Sequence, residues 1–277
     1  MAPLAELPRL VATDLDGTLL RRDGSISVRT QRTLERARSV GIELVMVTGP
    51  PARHVTKIEG VAALGGSVIC VNGALIYDLE RERVVSEDRL SAVIARELVR
   101  GLRSRLPGIC FAVEVGLEFG WEPSYGLHRK RTEPPLLPIA DALILCERGV
   151  NKLIARHPQF SPEDLLGQSA DLFAERARVS YSGAPFLEIS AAEVSKASAL
   201  AGYCLQRNID QNRVLSFGDM PNDLPMLVWA GHSVAMGNAH PSVLAAANEV
   251  TMSNDEDGVA AVVERVLSGH FRGDAAP

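Results

Sequence analysis

Four carboxylate side chains follow two short apolar segments of the chain, and their spacing suits phosphoryl chemistry. Asp14 and Asp16 stand two residues apart in an extended turn, so one can act as a nucleophile and the other as a proton donor and acceptor. Asp219 and Asp223 follow a later apolar segment. Neighbouring carboxylates repel each other unless a cation lies among them. The acids therefore predict a site for a hard, oxygen-preferring ion such as Mg2+ that bridges to a phosphate.

Two more polar residues can bind the same phosphate. Thr48 follows another apolar segment, and its hydroxyl can donate a hydrogen bond to a phosphate oxygen. Lys196 opens a predicted helix, where its ammonium can neutralise charge on the pentavalent transition state.

Short apolar strands with polar residues at their ends position these groups. The early half of the chain predicts strands at Leu10–Ala12, Ile42–Val47 and Val68–Val71, and the late half repeats the pattern at Val214–Phe217 and Ser233–Met236. Strands that alternate with helices in this way are typical of a parallel α/β sheet. Ligands of such sheets bind at the carboxyl ends of the strands, where the acids, Thr48 and Gly49 fall. We therefore predict a Rossmann-like parallel sheet core.

The middle of the chain has a different pattern. It begins with a long amphipathic helix, Leu90–Leu106, and continues with several short segments that read as strands, including Ala142–Cys146. We predict an inserted α+β cap domain at residues 81–187, within a core domain made of residues 1–80 and 188–277.

Composition excludes several classes of protein. With 277 residues, 46% of them hydrophobic and 23% charged, the chain is typical of a globular protein and not of a disordered or fibrous one. The net charge of -5 provides no global basic field, so no nucleic-acid partner is expected. The four cysteines form no CxxC pair or Cys/His cluster, which suits neither a disulfide framework nor a zinc site.

Membrane insertion and secretion are also not expected. No apolar run approaches the roughly 20 residues that a membrane span needs. The N-terminal residues show no basic stretch, apolar segment and cleavage site in succession, so we expect a cytoplasmic protein. The sequence says nothing about oligomeric state.

Four ordered motifs resemble those of a known family. They are DxDGT at Asp14–Thr18, a threonine and glycine at Thr48-Gly49, a lysine at Lys196, and GDxxND at Gly218–Asp223. By these motifs the chain resembles the haloacid dehalogenase (HAD) superfamily over essentially its whole length, and specifically the Cof-type phosphatases with a type IIB cap.

The resemblance implies a role for each matching position. Asp14 attacks phosphorus and becomes an aspartyl-phosphate, Asp16 protonates the leaving alcohol and then activates water, and Thr48 and Lys196 hold the phosphoryl group. Mg2+ is ligated by Asp14, by Asp16 through its backbone carbonyl, and by Asp219, with Asp223 as a further or second-layer ligand. The remaining implied phosphate or substrate contacts are Gly17, Thr18, Gly49, Asn72, Gly73 and Asn222.

The resemblance has two departures and leaves alternatives open. Pro50 stands where family members often have an arginine, and Ala197 stands where a glycine commonly follows the lysine. The leading hypothesis is a Mg2+-dependent phosphomonoester hydrolase acting on a small phosphorylated metabolite, with a sugar phosphate favoured. The alternatives are a sugar phosphomutase of the same superfamily and a non-catalytic sensor of a phosphorylated metabolite.

Overall fold

The chain folds into two compact units. A computed structural model describes residues 6–127, 136–181 and 184–269. The first unit comprises the residues up to Val85 together with those from Lys196 onward, and the second comprises Ser86–Ser195.

An eight-stranded sheet forms the centre of the first unit. Its strands are β1 (Leu10–Thr13), β2 (Glu43–Val47), β3 (Ser67–Cys70), β4 (Leu75–Asp78), β5 (Arg83–Glu87), β11 (Val214–Gly218), β12 (His232–Ala235) and β13 (Glu249–Val250). Their order in the sheet is β13-β12-β11-β1-β2-β3-β4-β5. All neighbours from β13 to β3 run parallel, and β4 runs antiparallel to β3. The predicted α/β class with a parallel core sheet is confirmed.

Helices connect the strands of the first unit, as parallel pairing requires. They are α1 (Val28–Ser39), α2 (Ala52–Val55), α3 (Val61–Leu64), α8 (Lys196–Gln206), α9 (Leu224–Trp229), α10 (Pro241–Ala246) and α11 (Gly258–Leu267). Ser27 caps α1 by accepting a hydrogen bond from the Thr30 amide. The strands β1, β2 and β11 are buried along nearly their whole length, because apolar connections cover both faces of a parallel sheet.

The second unit is built on a five-stranded antiparallel sheet of order β7-β6-β8-β10-β9. Its strands are β6 (Cys110–Val115), β7 (Glu118–Trp121), β8 (Lys152–Arg156), β9 (Ala177–Ser180) and β10 (Leu187–Ala191). Its helices are α4 (Ala92–Arg105), α5 (Pro123–Gly126), α6 (Ala142–Leu145) and α7 (Pro162–Phe173). Leucines 98 and 102 of α4 pack with Phe111, Val113 and Leu153 of the sheet in one apolar core.

One element predicted from the sequence is wrong. The apolar run Ala142–Cys146 was expected to be a strand, and the structure has the helix α6 there. Asp141 caps this helix, because its carboxylate accepts a hydrogen bond from the Leu143 amide at 2.8 Å. Short apolar runs do not distinguish a strand from one turn of buried helix, and the cap decided between them.

Both boundaries of the second unit lie a few residues C-terminal to those predicted for the cap domain. The predicted cap covers 81–187, whereas the second unit covers Ser86–Ser195. The edge strand β5 belongs to the first sheet, and β10 pairs with β8 and β9 in the second. Most of β5 is exposed, so its sequence carries no pattern of a buried strand.

Within the described part of the chain, no helix combines the length and apolar composition that crossing a membrane requires.

Two glycines with nearly the same backbone angle provide a test of the packing before β3. Gly66 has φ +81° and a Cβ there would lie 2.5 Å from the Leu44 carbonyl oxygen, whereas Gly24 has φ +82° and no described atom within 4 Å. We expect Gly24→Ala to lower the free energy of unfolding by about 1 kcal/mol, the strain of a left-handed alanine. Gly66→Ala adds a backbone clash and should lower it by roughly 3 kcal/mol or more. Thermal unfolding of both variants checks this, and equal losses would contradict the clash.

Candidate active site

The predicted site residues meet at the carboxyl ends of three neighbouring strands. Asp14 follows β1, Thr48 follows β2, and Asp219 follows β11. Because β11, β1 and β2 are adjacent and parallel, their ends lie at the same edge of the sheet. The Asp14 amide continues this pairing by donating to the Phe217 carbonyl at 3.1 Å.

Lys196 joins two of the buried acids. Its Nζ lies 2.5 Å from Asp14 Oδ1 and 2.6 Å from Asp223 Oδ1. The lysine side chain is 2% exposed and Asp223 is fully buried. Lys196 is the first residue of α8, so the start of this helix carries the ammonium to the edge of the sheet.

Asp223 also holds the backbone of its own loop. Its Oδ2 accepts hydrogen bonds from the amides of Asp219 at 3.1 Å and Met220 at 3.0 Å. One carboxylate therefore positions both Lys196 and the residue that begins the acidic loop. This geometry explains why the second acid of the GDxxND motif stands four residues after the first.

Asp219 is held against the loop that carries the proposed nucleophile. Its Oδ1 accepts a hydrogen bond from the Thr18 hydroxyl at 3.0 Å. Gly17 has φ +80°, and a Cβ on it would lie 2.3 Å from Asp219 Oδ2. Only glycine fits this position, since a side chain would need both a left-handed backbone and the space that the carboxylate fills. The hydroxyl hydrogen of Thr18, a predicted phosphate contact, is engaged by Asp219.

Burial dominates the protonation of these groups. Burial raises the pKa of Asp14 well above its usual range, and this outweighs the lowering effect of the Lys196 ammonium. For Lys196, burial favours the neutral form, but the negative charges of Asp14 and Asp223 outweigh it and raise its pKa. Burial and the Asp223 carboxylate raise the pKa of Asp219 to about 6, against the hydrogen bond from Thr18.

The donor set fits a divalent cation. Single carboxylate oxygens of Asp14, Asp219 and Asp223 lie within 4.8 Å of one another, and all three residues are buried. When ionised, three carboxylates beside one ammonium leave two negative charges in excess. A buried excess of this size calls for positive charge, and hard carboxylate oxygens suit Mg2+.

Thr48 presents an unused donor. Its hydroxyl is fully buried and has no hydrogen-bond partner among the described residues. A buried polar atom in this state is expected to bind a ligand atom or water. Its backbone carbonyl accepts from the Asn72 amide at 3.0 Å, which joins the segment after β2 to the segment after β3.

The predicted substrate contacts Asn72 and Gly73 lie in a segment with an unusual backbone. Val71, Asn72 and Gly73 have φ values of 56°, 57° and 112°. A β-branched residue such as Val71 rarely adopts a positive φ, so the segment stores strain that its surroundings must hold. The Asn72 side chain lies beside Gly49, where a Cβ would stand 3.1 Å from Asn72 Oδ1.

Two predicted residues are present at this edge without a side-chain hydrogen bond to the cluster. Asp16 is exposed, and it contributes to raising the pKa of Asp219. Asn222 is half-buried in a short 3-10 turn, Pro221–Asp223. No described residue donates to or accepts from either side chain, so the structure joins them to the site by position only.

The motifs did not single out Asn238 as a site residue. Its Nδ2 donates to the Gly17 carbonyl at 2.8 Å, and so it contacts the loop between Asp14 and Thr18. The available signal was its place just after β12, at the same end of the sheet as the acids.

Comparison with known proteins identifies the family of the chain. The family model of haloacid dehalogenase-like hydrolases matches residues 11–263. A Bacillus subtilis (strain 168) protein named "Putative phosphatase YxeH" is 32% identical over 94% of this chain and 99% of its own. The 5-amino-6-(5-phospho-D-ribitylamino)uracil phosphatase YitU of the same organism is 26% identical over 94% of this chain and 98% of its own.

A solved structure gives the same picture of the fold. The HAD subclass IIB sugar phosphatase BT4131 aligns with a TM-score of 0.79, at 20% identity, over 95% of this chain and 100% of its own. The match of the family model over most of the chain, together with the relatives, shows that the protein belongs to the haloacid dehalogenase superfamily as a Cof-type phosphatase.

Proposed function

We propose that the protein is a Mg2+-dependent phosphomonoester hydrolase that removes phosphate from a sugar phosphate or a similar small metabolite through an aspartyl-phosphate on Asp14. The buried bridge from Lys196 to Asp14 and Asp223 is the observation that carries this proposal. It places a permanent positive charge against the carboxylate that would attack phosphorus.

In the first half of the reaction Asp14 forms the bond to phosphorus. Lys196 binds Asp14 Oδ1, which leaves the other carboxylate oxygen for the attack. The bond from phosphorus to the leaving alcohol oxygen breaks, and Asp16 gives that oxygen its proton. The ammonium of Lys196 and the hydroxyl of Thr48 stabilise charge on the phosphoryl oxygens.

In the second half the phosphoryl group passes to water. Asp16, now a carboxylate, takes a proton from a water molecule that attacks phosphorus. The bond between phosphorus and the Asp14 oxygen breaks, which releases inorganic phosphate and restores Asp14. Asp16 suits both proton transfers because it is exposed and lies two residues from the nucleophile.

Asp14, Asp219 and Asp223 would hold Mg2+, with the backbone carbonyl of Asp16 as a further oxygen ligand. The ion would supply positive charge toward the phosphoryl oxygens during the transfer. The buried excess of carboxylates supports this assignment.

The preference for a sugar phosphate is supported by a relative. YitU is named for a substrate that carries a phosphorylated ribityl group, which is a polyhydroxylated chain of sugar type. A panel of sugar phosphates, ribitol 5-phosphate, pyridoxal phosphate and flavin mononucleotide therefore tests the substrate class, with release of inorganic phosphate as the readout.

Asp14→Asn should abolish turnover while the fold remains. The amide keeps the shape of the side chain but is too weak a nucleophile, so we expect kcat to fall by about 10^4-fold or more. The matched control is Asp23→Asn, at an exposed position outside the acidic cluster. Phosphate release with Mg2+ measures both.

Other outcomes of the same assay would redirect the proposal. Retained turnover in Asp14→Asn would refute the aspartyl-phosphate. An isomerised sugar phosphate without free phosphate would indicate a phosphomutase, and tight binding of a phosphorylated metabolite without turnover would indicate a sensor.

Lys196 can be tested for charge and for shape separately. Lys196→Met leaves the buried carboxylates of Asp14 and Asp223 without their cation, so we expect a loss of about 3 kcal/mol or more in stability and of roughly 100-fold or more in kcat. Lys196→Arg keeps the charge and should recover most of the stability but little of the turnover. Thermal unfolding and kinetics measure both, with Lys57→Met, an exposed lysine, as the control. Equal stability of the Met and Arg variants would contradict the charge argument.

Metal binding has a readout that does not depend on turnover. Mg2+ at about 100 times its dissociation constant should stabilise the protein by about 2.7 kcal/mol, since it binds only the folded state. Thermal unfolding with Mg2+ and with a chelator measures this shift. Asp219→Asn should lose the shift because it removes one of the three carboxylate ligands, and a shift of wild-type size in that variant would place the ion elsewhere.

A further inference from the structure

The loop that carries Asp14 and Asp16 is stabilised by few internal hydrogen bonds. We call Asp14–Leu20 the nucleophile loop. Inside it, Leu15 O accepts from the amides of Thr18 at 3.2 Å and Leu20 at 2.8 Å, and Asp14 O accepts from the Leu19 amide at 3.3 Å. The turn made by these bonds leaves other carbonyls of the loop directed at its surroundings. Two of these carbonyls, of Gly17 and Leu20, accept hydrogen bonds from asparagine side chains.

Asn238 holds the first of these carbonyls in a determined orientation. Its Nδ2 donates to Gly17 O at 2.8 Å, and its Oδ1 accepts from the Asn254 amide at 3.0 Å. Only the oxygen of an asparagine amide can accept from a backbone N–H, so the bond from Asn254 decides which way the amide faces. The Nδ2 group is thereby directed at Gly17.

Asn254 holds the second carbonyl. Its Nδ2 donates to Leu20 O at 2.7 Å. The two asparagines therefore form a connected bridge, from Gly17 through Asn238 and Asn254 to Leu20. The bridge spans the nucleophile loop from outside and joins it to the segment after β12 and to the 3-10 turn at Asn254–Glu256.

Neighbouring contacts secure the outer end of the bridge. The Arg22 amide donates to Asp255 at 2.9 Å, and Arg21 forms a salt bridge with Asp257 at 2.9 Å. The turn that carries Asn254 is thus fastened to the residues directly after the nucleophile loop. The anchor does not depend on one exposed side chain alone.

We propose that Asn238 and Asn254 are positioning residues of the reaction, which hold the nucleophile loop so that Asp16 reaches the leaving-group oxygen. The role of Asp16 in this statement rests on the proposed function. The anchoring of the loop itself does not.

Asp16 depends on its backbone for its place. Its side chain is exposed, and among the described residues no group hydrogen-bonds it. Asp14, in contrast, is held at its carboxylate by Lys196. Asn238 binds the loop at Gly17, the residue directly after Asp16. Loss of that hydrogen bond should therefore displace Asp16, the proposed acid and base, more than Asp14, the proposed nucleophile.

The affinity for phosphate should change less than kcat when Asn238 is substituted. Thr48 follows β2 and Lys196 begins α8, and neither belongs to the nucleophile loop. The affinity for inorganic phosphate is therefore expected to survive changes at Asn238, and this separates positioning of the loop from a general loss of structure.

Asn238→Asp is the sharpest variant. The carboxylate keeps an oxygen for the Asn254 amide but cannot donate to Gly17 O. Its control is Asn248→Asp, also an exposed asparagine, whose Oδ1 accepts from the Ser233 amide at 2.9 Å and so remains satisfied by a carboxylate. Asn254→Ala removes the other end of the bridge.

The experiment measures three quantities in the full chain: kcat, the inhibition constant of inorganic phosphate, and amide hydrogen exchange of residues 14–22 by mass spectrometry. For Asn238→Asp and Asn254→Ala we expect kcat to fall about 10-fold, phosphate inhibition to stay within about 2-fold, and exchange at Thr18 and Leu20 to quicken about 5-fold, the effect of one lost hydrogen bond. Asn248→Asp should match the wild type in all three.

Each other outcome overturns a defined statement. Unchanged exchange in residues 14–22 refutes the anchor. Faster exchange with unchanged kcat refutes the positioning of Asp16. Failure of the proposed function is seen separately, as wild-type turnover that does not need Asp14, and the exchange measurement still decides the anchor in that case.

Discussion

The ammonium of Lys196 is the group on which the rest of the site depends. It contacts Asp14 and Asp223 at once, in a position that is 2% exposed. Without it, two buried carboxylates would stand beside a third, Asp219, with no cation among them. Repulsion among buried carboxylates in a low-dielectric interior costs several kcal/mol. A fold that brings these acids together must therefore also place the lysine beside them. The start of α8 meets this requirement.

The parallel sheet brings the site residues together. Residues that directly follow β1, β2 and β11 arrive at one edge because those strands are neighbours and point the same way. Their remaining freedom is removed by specific contacts: Asp223 caps the amides of Asp219 and Met220, and Thr18 holds Asp219. Groups of the protein itself therefore hold the carboxylates of Asp219 and Asp223 in place. Pre-organised charge of this kind avoids reorganisation during a phosphoryl transfer.

The site also holds polar groups that the protein itself leaves without a partner or without a balancing charge. Thr48 keeps a buried hydroxyl with no partner among the described residues, and three buried carboxyl groups lie together beside a single ammonium. Both features would weaken a purely structural core, and both suit a phosphate and a divalent cation. The strained backbone at Val71–Gly73, beside Thr48 and Gly49, is a further instance of conformational energy stored near a candidate functional position.

The sequence by itself determined the fold class and, to within one residue, the ends of the strands beside the candidate site. It also singled out the acids, Thr48 and Lys196 as candidate site residues, because these predictions follow from periodicity and from short motifs. Tertiary structure alone decided which groups touch. That Asp223 binds Lys196, that Thr18 donates to Asp219, and that Asn238 reaches Gly17 all join residues far apart in the chain or across a turn, and no local pattern encodes such distances. The same limit explains the error at Ala142–Cys146, where an apolar run fits either a strand or a helical turn until the cap from Asp141 is known.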